Sequence, residues 1–222
     1  MENSVIEYNK GREVIYSVFS RIFLNIMDSN TYKILEDIMP FLENYKEDSE
    51  NKLLSQGAES IIKHIKAYQT STNKEEFIND TAKQYTRLYC LGIGVEISES
   101  VYQSVEHLVG QEDEEIYNIY SSCNFQMESS SNEPLDHISY ELMFLSYLSK
   151  GVAINYEKNK ELAEQFLKIQ KEFLENHLLQ WVDKLIEKTL EFSESYLFYL
   201  PVTYFIVGFI KEDYEYLKEE IQ

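Results

Sequence analysis

Cysteine, glycine, proline and positive charge are all scarce in this 222-residue sequence, and each shortage argues against a class of protein. Two cysteines, Cys90 and Cys123, with no CxxC pair, leave no disulfide framework and fit a reducing compartment. Seven glycines and three prolines offer few chain breaks, so short loops and an all-helical fold are expected. Only 20 basic residues face 39 acidic ones, a net charge of −19, which argues against nucleic acid and against an anionic membrane surface. Long apolar runs are missing too. The most apolar stretch, YLFYLPVTYFIVGFI at 196–210, falls short of the roughly 20 residues of a membrane span and contains Pro201. A buried core helix is expected there. The opening MENSVIEYNKGREV has no basic flank leading into an apolar core, so no signal peptide is expected, and with the cysteine usage a cytoplasmic location is the expectation.

What is present is a globular composition, 44% apolar and 27% charged, with room for one sizeable core or two small lobes. The acidic excess would draw in a basic partner, or serve solubility alone. Helical periodicity dominates. Ile15, Phe19, Ile22 and Ile26 form one apolar stripe. A shorter helix runs through Ile34, Leu35, Ile38, Met39 and Leu42, ended or bent by Pro40, and Ile61, Ile62, Ile65 and Tyr68 mark another. STNKEEFINDTAKQYTRLYC at 71–90 opens with capping residues and first-turn acids. From 91 to 112 neither period holds, and this long connection is the expected hinge. Helices are then expected over EDEEIYNIYSSCNF, 134–155, 158–190 with a break near His177, and 193–220 with Ser193 as N-cap. The expectation is one all-α domain over 1–222 of eight to ten helices, divisible into two lobes at 91–112.

The stretch NEPLDHISYELMFLSYL at 132–148 concentrates the chemistry. Pro134 suits a first helical turn, Asn132 or Glu133 a cap, and Asp136 the positive end of the helix dipole, so these three need no function. Leu135, Ile138, Leu142 and Leu145 share the core face, while His137 and Glu141 stand four apart and can pair beside it. Catalysis finds no support: GxSxG, HExxH, HxH, Glu-x-x-His and GxxxxGK[ST] are all absent from the sequence. Gly92-Ile93-Gly94 stops short of GxGxxG. No enzyme, metal site or cofactor is expected.

EPLDHISYELMFLSYL resembles the E-P-x-D-H-x-x-x-E-L signature of the TorD/DmsD/NarJ-like chaperones, the redox-enzyme maturation family. QYTRLYCLG, ESVYQSVEHLVGQ and FLENHLLQWVDKLIEK resemble three further family segments in the family's order, over about residues 10 to 212. The resemblance implies an all-helical, non-catalytic protein of the cytoplasm. It would bind the twin-arginine signal peptide, or a related N-terminal segment, of a molybdopterin oxidoreductase of the dimethyl sulfoxide reductase type until cofactor is inserted. Carried over by position, the signal-recognition residues would be Asp136 and His137, with Pro134 and Glu141 as motif neighbours. Tyr85, Arg87, Leu88, Tyr89, Ser100 and Tyr102 would belong to the opposing helix end and loop. The implied groove has walls of Leu88, Tyr89 and Tyr102, an acidic rim of Asp136 and Glu141, and His137 orienting a carboxylate. One departure stands out: Glu96-Ile97-Ser98 replaces the family's proline-proline-aromatic run, so that loop should be less stiff. A monomer and a helix-swapped dimer remain open. So do two other functions, a helical adaptor for an unrelated client and a guanine-nucleotide or molybdopterin binder.

Overall fold

The computed structural model describes residues 2–92, 94–103, 111–126, 133–192 and 198–221, and the regular elements among them are helices. They are α1 (Glu2–Leu24), α2 (Ser29–Asp37), α3 (Met39–Asp48), α4 (Lys52–Thr70), α5 (Lys74–Tyr85), α6 (Glu99–Tyr102), α7 (Gln111–Ser122), α8 (Ile138–Asn155), α9 (Lys160–Phe173), α10 (Leu179–Glu191) and α11 (Tyr199–Glu220). π-helical turns at Thr86–Cys90 and Leu174–Leu178 follow α5 and α9. The all-α expectation holds. The described residues divide into two compact units. Unit 1 comprises Met1–Ser20, Ile97–Trp181 and Tyr214–Gln222; unit 2 comprises Arg21–Glu96 and Val182–Asp213. The chain thus passes from one unit to the other at Glu96–Ile97, inside the 91–112 connection, and again within α1, α10 and α11.

In unit 1, α8 is the central element. Ile138, Leu142, Phe144, Leu145, Leu148 and Val152 are all fully buried, so the helix is apolar nearly all round, as a core helix must be. Hydroxyls fasten its neighbours: Ser20 Oγ donates to Ser139 O at 2.7 Å and Ser146 Oγ to Glu13 O at 2.9 Å, holding α1. Ser149 Oγ sits 2.9 Å from Gln170 Oε1 on α9. Tyr120, Phe125, Phe144 and Phe173 interlock as a ring cluster with centroids 4.8–6.2 Å apart.

In unit 2 the chain's own cap residues start the helices. Asp28, Asn51 and Asn73 accept from the backbone N–H of Thr31, Leu53 and Glu76 at 2.6, 3.1 and 3.1 Å. Helices α4 and α11 pack backbone to backbone, with Gly57 against Phe205 and Gly208 against Leu54. Tyr32 stacks on Tyr68 at 4.0 Å. Three local expectations are corrected. Helix α1 ends at Leu24, which leaves Ile26 outside the stripe and half exposed. Pro40 opens α3 rather than closing its predecessor, because its missing N–H costs nothing in a first turn. The break near His177 is a wide turn within a continuous helical run. Ser193 lies outside the described residues, as does Asn132.

Candidate functional site

The segment 97–100 of unit 1 pairs with 136–138 of the same unit. Ser98 and His137 form an antiparallel bridge, Ile138 N donates to Ile97 O at 2.9 Å and Glu99 N to Asp136 O at 3.1 Å. Asp136 adds its side chain: Oδ2 accepts the Ser100 N–H at 2.7 Å, fixing the start of α6. Asp136 is wholly buried, and its Oδ1 has no hydrogen-bond partner. Helix α8 therefore begins at Ile138, four residues later than the sequence suggested, and His137 is its N-cap. The extended pairing with 97–99 holds Asp136 and His137 out of helical geometry. Nδ1 of His137 lies 3.2 Å from the Ser139 N–H and 2.6 Å from Ser139 Oγ. Accepting from the backbone N–H requires that nitrogen unprotonated. Burial agrees, lowering the imidazole to about 4 against the opposing pull of the Asp136 anion. His137 is a neutral cap at physiological pH.

Deeper in unit 1 lies a polar cluster. Glu99 and Glu141 are fully buried and His177 nearly so. His177 Nδ1 stands 3.0 Å from Glu99 Oε2, and the Gln103 amide donates to Glu99 Oε1. Neither Glu141 oxygen has a partner at hydrogen-bond geometry, nor has the Trp181 indole N–H. Burial first, then the Glu99 and Asp136 anions, push the Glu141 carboxyl well above its usual range. Tyr102 stacks on Trp181, ring centroids 5.3 Å apart.

Asp136 and Glu141 are therefore interior groups, where an exposed acidic rim was expected. His137 pairs with Ser139, and Glu141 is not its hydrogen-bond partner. Pro134 and Ser100 are exposed and Tyr102 is half-buried. Tyr85, Arg87, Leu88 and Tyr89 belong to unit 2. Leu88 is fully buried there, and Tyr85 is buried with its OH donating to Phe23 O at 3.0 Å. Tyr89 packs edge-on against Tyr199 at 5.4 Å, and Arg87 is exposed. Glu99 was missed as a polar centre because nothing in its local pattern separates it from a surface acid. A cleft of about 400 Å³ opens in unit 1 beside the Pro134 corner, lined by Tyr117, Tyr120, Ser121, Asn124, Phe125, Gln126 and Leu135. No helix among the described residues is long and apolar enough to cross a membrane.

Residues 51–187 match the family model described as nitrate reductase delta subunit. The chain belongs to the nitrate reductase delta subunit family. Its relatives include the Chaperone protein TorD of Vibrio parahaemolyticus, 28% identical over 219 residues, covering 96% of this chain and 97% of the relative. That of Aliivibrio salmonicida is 27% identical over 232 residues, covering 98% and 100%. That of Aliivibrio fischeri is 33% identical over 97 residues, 44% of each chain. The nitrate reductase delta subunit family is one of chaperones, and the chain is a TorD-like chaperone, not an enzyme.

Proposed function

We propose that this chaperone acts in the cytoplasm on the precursor of a molybdopterin oxidoreductase of the dimethyl sulfoxide reductase type. It binds the client's twin-arginine signal peptide, or a related N-terminal segment, and holds it until cofactor is inserted. The observation that carries this reading is the end-to-end similarity to TorD chaperones, 97% of the length of one and 100% of another. Two physical features support it. The net charge of −19 attracts a basic leader and speeds its arrival. The cleft of about 400 Å³ offers Tyr117, Tyr120, Phe125 and Leu135 to the leader's apolar part, with the exposed Glu133 two residues before Leu135.

In this reading Asp136 and His137 act by position. They hold the 97–102 segment and the start of α8, and the client's arginines meet exposed acids instead. Calorimetry with a synthetic twin-arginine leader tests it. Replacing both arginines of the peptide with alanine should weaken binding tenfold or more, and Tyr117→Ala, at a side chain 59% exposed, should do so without lowering stability. Asp136→Asn keeps an acceptor for Ser100 and should bind as wild type, whereas Asp136→Ala should weaken binding through loss of the α6 anchor. A leader that binds equally well without its arginines would refute the reading.

A further inference from the structure

We infer that Glu99, Glu141 and His177 form a binding site for one divalent transition-metal ion inside unit 1. The three come from separate elements, α6, α8 and the π-helical turn after α9, and their ligand atoms lie within 4.8 Å of one another. Two carboxylates and one imidazole, with no thiolate, are the donor set of zinc, manganese or ferrous iron, and too few oxygens for calcium. Metal–ligand bonds of about 2.1 Å put tetrahedral donors roughly 3.5 Å apart, so chelation needs a closure of about 1 Å. Side-chain rotation can supply that.

Three observations beyond the proximity of the groups point to a ligand. First, both Glu141 oxygens are buried and neither makes a hydrogen bond of good geometry, although the Glu99 carboxyl and the Trp181 N–H lie close to them, an arrangement that native interiors normally avoid. A divalent cation would satisfy one and neutralise the paired carboxylates. Second, supporting groups are already in place. Gln103 holds the other Glu99 oxygen, and the Trp181 N–H, itself without a geometric partner, is a polar neighbour of Glu141. Third, a cavity reaches one of the three residues, His177. This second cavity, of about 220 Å³, lies between α7 and α9, and its wall includes the carboxylates Glu115 and Glu172. That mouth suits a cation. The π-helical turn is itself a feature common at functional sites, and here it carries His177 to Glu99.

Bound there, the ion would tie α6, α8 and the α9–α10 run together. It stands independently of the leader-binding reading. The test uses the full chain, stripped with chelator and then titrated with Zn²⁺ by calorimetry and with Co²⁺ by absorption. The wild type should take up one equivalent, show the visible bands of cobalt in a low-symmetry site, and melt several degrees higher with Zn²⁺. Glu141→Gln and His177→Gln should each weaken that equivalent at least tenfold. Glu172→Gln, at the mouth, should keep the stoichiometry and slow loading. Absence of a stoichiometric ion in folded wild type would overturn the proposal even if a variant failed to fold. So would one equivalent that survives unchanged in Glu99→Gln, Glu141→Gln and His177→Gln alike.

Discussion

Unit 2 buries chiefly threonines among its polar side chains, whereas unit 1 buries three carboxyls, Glu99, Asp136 and Glu141. In unit 2 the hydroxyls of Thr81, Thr189 and Thr203 donate to carbonyls four residues back, at 2.8–3.2 Å, and Thr31 pairs with its own cap Asp28. In unit 1, Glu99 meets His177 at a separation of 78 residues, Ser100 meets Asp136 across 36, and Ser20 meets Ser139 across 119. Local pairing costs little and specifies a helix. Distant pairing of buried acids is expensive and is retained where it fixes a geometry that hydrophobic packing would not. Unit 1 therefore concentrates the costly groups, three buried carboxyls against the single buried Asp213 among the described residues of unit 2.

Acid should act on both units, because each holds a histidine, half-buried His64 and buried His137, whose imidazole desolvation lowers to about 4. Both values lie below the ordinary 6.5, so the neutral forms are favoured in the fold. Their contribution is fully present above about pH 6.5 and is lost as pH falls through 4. Each residue should cost about 3 kcal/mol of stability at pH 4 relative to neutrality. His64→Phe in unit 2, which leaves the Tyr32 OH near Thr81, and His137→Asn in unit 1, which keeps a capping acceptor, should each flatten the acid limb. Trp181, the sole tryptophan, lies in unit 1. Its fluorescence should follow His137→Asn, and far-UV dichroism should follow both variants. Unchanged acid limbs would show that neither ring is desolvated as described.

The same asymmetry explains what could be read in advance. Helix existence was legible from periodicity, and α4 and α8 carry the stripes of Ile61, Ile65 and Tyr68 and of Ile138, Leu142 and Leu145 into the core. The Pro134–Asp136–His137 corner was recognisable as special, but its role was not. Helix rules favour a start near Pro134, and only the pairing of 97–99 with 136–138 delays it to Ile138. No local pattern encodes that pairing. For the same reason Asp136 and Glu141, which local spacing leaves at a groove edge, turned out to be interior. Burial of an acid by a segment some forty residues away is a tertiary fact.

A smaller effect sharpens the comparison through glycine. An added Cβ at Gly57 in unit 2 would stand 2.5 Å from the Phe205 backbone nitrogen, which cannot move without shifting α11. Gly57→Ala should lose about 2 kcal/mol, the overpacking cost outweighing the gain in helix propensity. At Gly151 in unit 1 the obstacle is the Phe166 ring edge at 2.4 Å, and that ring is half-buried and able to rotate. Gly151→Ala should fall between neutral and about 1 kcal/mol stabilising. Urea midpoints at constant slope decide it. Equal losses in the two variants would mean that α8 and α9 are as tightly locked as α4 and α11.

The smallest expected effect tests whether the contrast is confined to the interior. Asn73 in unit 2 and Asn159 in unit 1 do the same exposed job, accepting from the N–H three residues on at 3.1 and 3.3 Å. Neither side chain takes part in a distant pairing in the structure. Alanine at either should cost about 1 kcal/mol, since each leaves one helix-end donor to water. Matched losses would place the difference between the units in which polar groups each one buries. A clearly larger loss at Asn159 would mean that α9 is tensioned by the His177 cluster at its far end, and that the cost of the buried acids reaches the surface of unit 1.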